Sequence, residues 1–289
     1  AMGVAAAMAV RDDKGLRNIE IRNLQKHLVE NGNLPESVLT DQDSFPLPQE
    51  EIVTAVDIVA TDLKAQEGVE GDPVPPSVPD PLAVILAHPR ESLPLLRNAY
   101  KNAAERQDRL IYAQILGMMG DAAGNATLIE TIQSRRWDQQ GGLYGRRQSY
   151  LDDLIVAVGR TGDKGGLDAI LEKAEQLDAD SAFTHHRAVA VALGTIGDPR
   201  AVKTLAEILQ KPGMRGYALA SLKPELEADI STIRNRTRYQ SLRELILARA
   251  LYRCGDHDGL GERILREYVN DLRAHHSRHA QAVLKTFRK

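Results

Sequence analysis

Apolar residues recur along much of this chain at the three- and four-residue spacing of an amphipathic α-helix. Four stretches share one register when counted back from a Gly-Asp pair, which begins at Gly120, Gly162, Gly197 and Gly255. The positions four, seven and eight residues before each glycine are apolar in every copy. They are Leu116, Ala113, Tyr112, Val158, Ile155, Leu154, Leu193, Ala190, Val189, Leu251, Ala248 and Leu247. The pattern predicts four related helices, each ending at a Gly-Asp turn.

A second apolar helix follows each Gly-Asp pair. Glycine adopts the left-handed conformation that ends a helix, and aspartate caps the next helix by accepting a backbone N–H. Three of the first helices also carry a glycine near their end, at Gly117, Gly159 and Gly194, where a second helix can approach closely. A helical hairpin cannot bury both apolar faces alone, so we expect the copies to stack into a solenoid.

Residues 66–81 interrupt the helical pattern with seven glycine and proline residues, which cannot continue a helix or a central strand. We therefore expect a helical N-terminal segment over residues 1–65, a linker over 66–81 and a repeat domain over 82–289. The predicted fold class is all-α, an α-solenoid of hairpins behind a short helical segment. Aromatic residues make up only 4% of the chain, which argues against a many-stranded β-sandwich.

Two resemblances sharpen this prediction. Residues 192–202 resemble HEAT-like repeats, especially the type seen in phycobilisome-lyase proteins. Residues 3–10 and 21–28 resemble the end of the flavin domain in a family of bacterial FAD-dependent oxidoreductases, where the small-residue helix begins near the cofactor. Some members of that family carry a C-terminal helical-repeat region, and residues 179–189 and 251–261 resemble it.

The second resemblance implies that the chain is a non-catalytic C-terminal region that docks on a flavin domain, shapes substrate access or mediates assembly. It implies FAD in the full-length protein and makes Gly3 a remnant of a cofactor-adjacent helix. No G-x-G-x-x-G follows a strand, so we expect no cofactor in this chain itself. Nothing before Met2 caps the first helix, so we expect a longer protein, or else a true start at Met2. The alternative function is a stand-alone HEAT-repeat scaffold that binds a protein partner.

Arginine and aromatic residues surround a glycine loop between the first two repeats. Such residues are typical of interface anchors and of single-stranded nucleic-acid platforms, although a plain structural turn is the alternative. The acidic N-terminal part and a pI near 6.3 argue against nucleic acid. The candidate partner-surface residues here are Arg135, Arg136, Trp137, Tyr144, Arg146 and Arg147.

His185, His186 and Arg187 open the first helix of the third repeat and are further candidates for a partner surface. A histidine at a helix N-terminus has its cation disfavoured by the helix dipole, so it can act as a base or a ligand. The alternative is packing or a hydrogen bond between repeats. His186 occupies the register position of Leu151, so we expect it to be partly buried.

The net charge of −3 hides a gradient along the chain. Residues 1–80 carry a charge of −9 and residues 234–289 a charge of +7, so the basic tail can attract the acidic head or bind an anionic partner. His275 and His279 are spaced to share a metal ion, but nearby arginines oppose this. A nucleic-acid or metal binder is therefore the third candidate function.

Neither membrane insertion nor disulfide bonding is expected. No apolar run approaches the ~18 residues of a membrane-spanning helix. Cys254 is the single cysteine, so an internal disulfide is excluded.

Overall fold

The computed structural model describes residues 1–40, 45–66, 80–137, 149–222 and 230–287. Over these residues the chain forms fourteen α-helices, a few short 3-10 turns and no strand. It divides into two compact units, Ala1–Pro48 and Gln49–Lys289. The predicted all-α class is confirmed.

The first unit contains helices α1 (Met2–Arg11) and α2 (Ile21–Glu30). Leu24 and Leu28 are buried on one face of α2, at the four-residue spacing of an amphipathic helix. Arg22 donates hydrogen bonds to the carbonyl oxygens of Val38 and Leu39, at 3.2 and 3.4 Å, and thereby holds the 3-10 turn that follows α2.

The second unit is built from the other twelve helices. In chain order they are α3 (Gln49–Gln66), α4 (Pro81–Ala87), α5 (Pro89–Asn102), α6 (Arg106–Met118), α7 (Asn125–Ser134), α8 (Tyr150–Thr161), α9 (Leu167–Glu175), α10 (Phe183–Ile196), α11 (Ala201–Gln210), α12 (Ile230–Cys254), α13 (Leu260–Val269) and α14 (Ala274–Thr286).

Stacked hairpins form most of this unit. The hairpins are α6–α7, α8–α9, α10–α11 and α12–α13, and each first helix contacts the first helix of the next hairpin. Helix α14 packs on α12 and α13 at the end of the stack. The apolar positions predicted from the Gly-Asp register are all buried, so the predicted solenoid is confirmed.

As predicted, the glycine of each Gly-Asp turn ends one helix and the aspartate caps the next. All four glycines have positive φ, and Asp121, Asp163 and Asp198 each accept a backbone N–H two residues later. Asp256, whose own φ is positive, accepts the N–H groups of His257, Gly261 and Glu262 instead.

Glycine at the predicted close-approach positions lets the first helices touch backbone to backbone. A Cβ built on Gly159 would lie 2.3 Å from the Cα of Ala192, and one on Gly117 would lie 3.0 Å from the carbonyl oxygen of Ala157. At Gly194 the nearest atom would be 3.4 Å away, which is an ordinary van der Waals contact. Glycine is therefore required at Gly159, where α8 meets α10, but not at Gly194, where α10 meets α12.

The boundary between units differs from the expected domain division. The sequence assigned residues 50–65 to the N-terminal segment, whereas α3 packs on α4 and α5 and belongs to the repeat unit. Its apolar face, which includes Ile52, Val56 and Val59, is buried there. Most of the predicted linker, residues 67–79, lies outside the described part of the chain.

Candidate interaction surface

Trp137 lies just after α7 and connects three repeats. Its indole Nε1–H donates to the carbonyl oxygen of Lys173, at 3.2 Å, at the end of the next repeat's second helix. Its ring packs against the imidazole of His185 in the third repeat, with centroids 4.3 Å apart. Trp137 is half-buried, so the residue predicted as a partner anchor serves largely as an internal tie.

Asp152 and His185 form the buried centre of this contact. The Nδ1 atom of His185 is 2.8 Å from a carboxylate oxygen of Asp152, and both side chains are almost fully enclosed. The other Asp152 oxygen accepts the backbone N–H of Ser149 and completes the cap of α8. One carboxylate thus caps a helix in the second repeat and fixes a histidine in the third.

The prediction that His185 and His186 belong to a partner surface is wrong, because both are buried. His186 is fully enclosed, which exceeds the partial burial expected from its register, and its Nδ1 lies 3.0 Å from the carbonyl oxygen of Ala182. Burial lowers the pKa of His186 to about 4, so the side chain is neutral near pH 7. The alternative of packing and a bond between repeats describes His185.

Two of the arginines predicted for this surface are exposed. Arg136 lies after the second helix of the first repeat, and Arg187 lies near the start of the first helix of the third repeat. Arg135 is half-buried, with its guanidinium 4.6 Å from the ring centroid of Tyr150, a cation–π arrangement. The remaining candidates, Tyr144, Arg146 and Arg147, lie outside the described residues.

A titratable carboxyl lies beside the buried pair. Burial, with a smaller contribution from the charge of Asp152, raises the pKa of Asp153 to about 6. Adjacent helical residues point to different sides, and Asp153 makes no hydrogen bond with another described residue that could relieve its burial. The carboxyl therefore opposes folding at neutral pH.

His275 and His279, the pair spaced to share a metal ion, both lie on α14. Among the described residues, no group of three His, Cys, Asp or Glu side chains is arranged to hold a metal ion. His276 is buried against Tyr268, whereas His275 is exposed. Cys254 donates weakly to the carbonyl oxygen of Leu193, and burial raises the pKa of its thiol to about 11, so it is packed and unreactive.

Gly3 lies in the first turn of α1, and a Cβ placed there would meet nothing within 4 Å.

Within the described part of the chain, no helix is long and apolar enough to cross a membrane.

Two lysines that sequence reasoning missed tie successive second helices together. The ammonium of Lys173 donates to the carbonyl oxygens of Gln133 and Arg135, at 3.4 and 2.7 Å, and so covers the C-terminus of α7. One repeat later, the ammonium of Lys211 donates to the backbone carbonyl oxygens of Glu175 and Leu177 at the end of α9. A cation at a helix C-terminus complements the helix dipole. The available signal was Lys173 itself, a charge on the apolar face of α9.

A buried carboxylate that the sequence analysis also missed holds the segment after α11. Glu244 is fully enclosed in α12 and accepts the backbone N–H groups of Gly216 and Tyr217, at 3.0 and 2.9 Å. The hydroxyl of Tyr268 donates to it at 2.9 Å. Glu244 occupies the register position of Leu151 and His186, so a charge in that buried register was the signal for this network.

The comparisons with known proteins agree with the hairpin geometry. The family model described as PBS lyase HEAT-like repeat matches residues 186–211, which span most of α10, the Gly-Asp turn and α11. Searches of curated proteins and of solved structures gave no match. The chain therefore contains HEAT-like helical repeats, which typically build surfaces for protein–protein interaction.

Proposed function

We propose that this chain is the non-catalytic helical-repeat region of an FAD-dependent oxidoreductase, where it docks on the flavin domain or mediates assembly. FAD belongs to the flavin domain in this proposal, and the present chain holds no cofactor. The starting point is the resemblance of residues 3–10 and 21–28 to the end of such a domain. HEAT-like repeats as interaction scaffolds are compatible with this role.

The observation that carries the proposal is the exposure of helix α1. It has no charged residue before Arg11, yet only Ala9 is buried in it. Met2 and Val10 are 86% and 84% exposed. A helix that is apolar on all sides is normally buried inside a protein. Coverage of α1 by a flavin domain supplies that burial.

A charge placed on α1 tests this docking. The flavin domain encoded with this chain is prepared as a separate protein, and its affinity for the chain is measured by calorimetry. Val10→Asp should weaken binding at least tenfold, because a carboxylate would enter an apolar contact. Leu86→Asp, at an exposed apolar site on α4, is the matched control and should bind normally. Equal affinity of both variants would contradict the proposal.

A stand-alone interaction scaffold is the second candidate, favoured by the HEAT-like match and by exposed Arg136 and Arg187. In that case the gene encodes no flavin domain. The double variant Arg136→Glu and Arg187→Glu should then lose its protein partner while keeping its melting temperature, because both side chains are exposed. Unchanged partner binding would remove this surface from the account.

A further inference from the structure

Helices α12 and α14 lie side by side at the end of the stack and place three basic side chains together. Near one end of the contact, the Ser241 hydroxyl is 3.4 Å from Nε2 of His276. Near the other, the Arg253 guanidinium is 4.7 Å from the ring centroid of Phe287. Arg249 on α12 and His279 on α14 lie between these two contacts along their helices.

Arg249 makes no hydrogen bond or ion pair with any described residue. Its Nε atom is enclosed and without a partner, and the same holds for Nε2 of His279. Burial lowers the pKa of the Arg249 guanidinium, the charge of Arg253 lowers it further, and no carboxylate of the described chain offsets either effect. Burial, and then the Arg249 charge, lower the pKa of His279.

Arg249 is half-buried, and the desolvation of its enclosed Nε atom is not offset by a hydrogen bond or an ion pair. The fold does not require this arginine for packing. The same register position, six residues before the turn glycine, is Gln114 in the first repeat, Val156 in the second and Val191 in the third. A charge at a position that is uncharged in the other three repeats indicates a ligand of opposite charge.

We propose that the contact between α12 and α14 is a binding site for an oxyanion, either a phosphate or a carboxylate group. The planar guanidinium of Arg249 matches two oxygens of such a group. Arg253 adds positive charge one helical turn away, and His279 adds an Nε2–H donor. This site is separate from the docking of α1 and does not depend on the proposed function.

Thermal unfolding in different anions tests the site. The melting temperature of the whole chain is measured against sodium phosphate or sodium acetate, each at constant ionic strength with chloride. We expect saturation with a midpoint in the millimolar range and a rise of about 2 °C or more at five times that midpoint. A response to phosphate alone identifies a phosphate site, and a response to acetate alone identifies a carboxylate site. No saturable response to either anion overturns the proposal.

The variant Arg249→Met separates a ligand role from a structural one. It removes an uncompensated charge, so its melting temperature in chloride should equal or exceed that of the unmodified chain, and its anion response should vanish. Arg278→Met changes an exposed arginine on α14 and should keep the full response. An anion response that Arg249→Met retains would contradict the proposal, because phosphate stabilises many proteins non-specifically. A lower melting temperature of this variant in chloride would also contradict it.

A more conservative change covers the case in which Arg249→Met fails to fold. Arg249→Lys keeps the charge but loses the guanidinium fork, so its anion midpoint should rise at least fivefold. An unchanged midpoint in Arg249→Lys would show that the bound anion does not contact Arg249.

Discussion

His185 and Asp152 share a 2.8 Å contact between Nδ1 and a carboxylate oxygen, although 33 residues separate them along the chain. The pair joins the first helices of the second and third repeats, and Trp137 packs on the same imidazole from the first repeat. A solenoid depends on contacts between neighbouring repeats, and here a buried polar contact supplements the apolar ones.

Removing the histidine should lower the stability of the folded chain. His185→Ala leaves the buried Asp152 carboxylate without its partner, so we expect a loss of about 3 kcal/mol in the free energy of unfolding. Urea denaturation followed by circular dichroism measures this loss. Arg187→Ala, two residues away and exposed, should stay within about 0.5 kcal/mol. Similar losses in the two variants would mean that the pair contributes no more than a surface residue.

The glycine contacts predict different outcomes for the same substitution. Gly159→Ala places a methyl group 2.3 Å from the Ala192 backbone, and the resulting overpacking should cost about 1–3 kcal/mol. Gly194→Ala meets its nearest neighbour at 3.4 Å and should be neutral, or up to ~1 kcal/mol stabilising, because alanine favours helix. Thermal unfolding of both variants checks this order, and a reversal would contradict the described stacking distances.

Lys173 should stabilise the stack through the end of α7. Lys173→Met removes two hydrogen bonds from a buried ammonium to the carbonyl oxygens of Gln133 and Arg135, so we expect a loss of about 2 kcal/mol. Lys203→Met, at a side chain that is 83% exposed, is the control and should change stability by less than about 0.5 kcal/mol. Urea denaturation measures both changes in the free energy of unfolding. Unchanged stability of Lys173→Met would contradict the role assigned to Lys173.

Asp153 should make stability fall as the pH rises from about 4 to about 6. Its pKa is raised to about 6 in the folded chain from 3.8, so the folded state holds a proton that the unfolded state has already lost. Asp153→Asn should therefore be about 1–2 kcal/mol more stable than the unmodified chain at pH 7, with no such gain near pH 3.5. Denaturation at a series of pH values measures the difference, and a gain independent of pH would exclude the carboxyl as its cause.

The repeats were predictable because their signals are local. Each Gly-Asp pair combines a left-handed turn with a helix cap, and the apolar register is counted from it directly. The domain boundary was missed because proline and glycine mark an interruption of helix without indicating which neighbour α3 packs on. The burial of α3 depends on α4 and α5, which follow the interruption.

The surface was harder to predict than the fold, because burial of a polar side chain depends on partners far away in sequence. His185 is enclosed by Asp152 and Trp137, and the separations along the sequence between His185 and these two residues follow no periodic pattern. Lys173 and Glu244 have carbonyl or N–H partners 27 to 40 residues away. Their positions on otherwise apolar faces were visible in the sequence, but the groups that satisfy them were not.

The central claim is that this helical-repeat chain accompanies a flavin domain, and reading the coding DNA directly upstream of the codon for Ala1 tests it most directly. The account predicts an in-frame extension that encodes a strand, a G-x-G-x-x-G turn and a helix, the pattern that binds the pyrophosphate of FAD. A stop codon and a ribosome-binding site immediately before Met2 would contradict it and would make the chain an independent repeat protein.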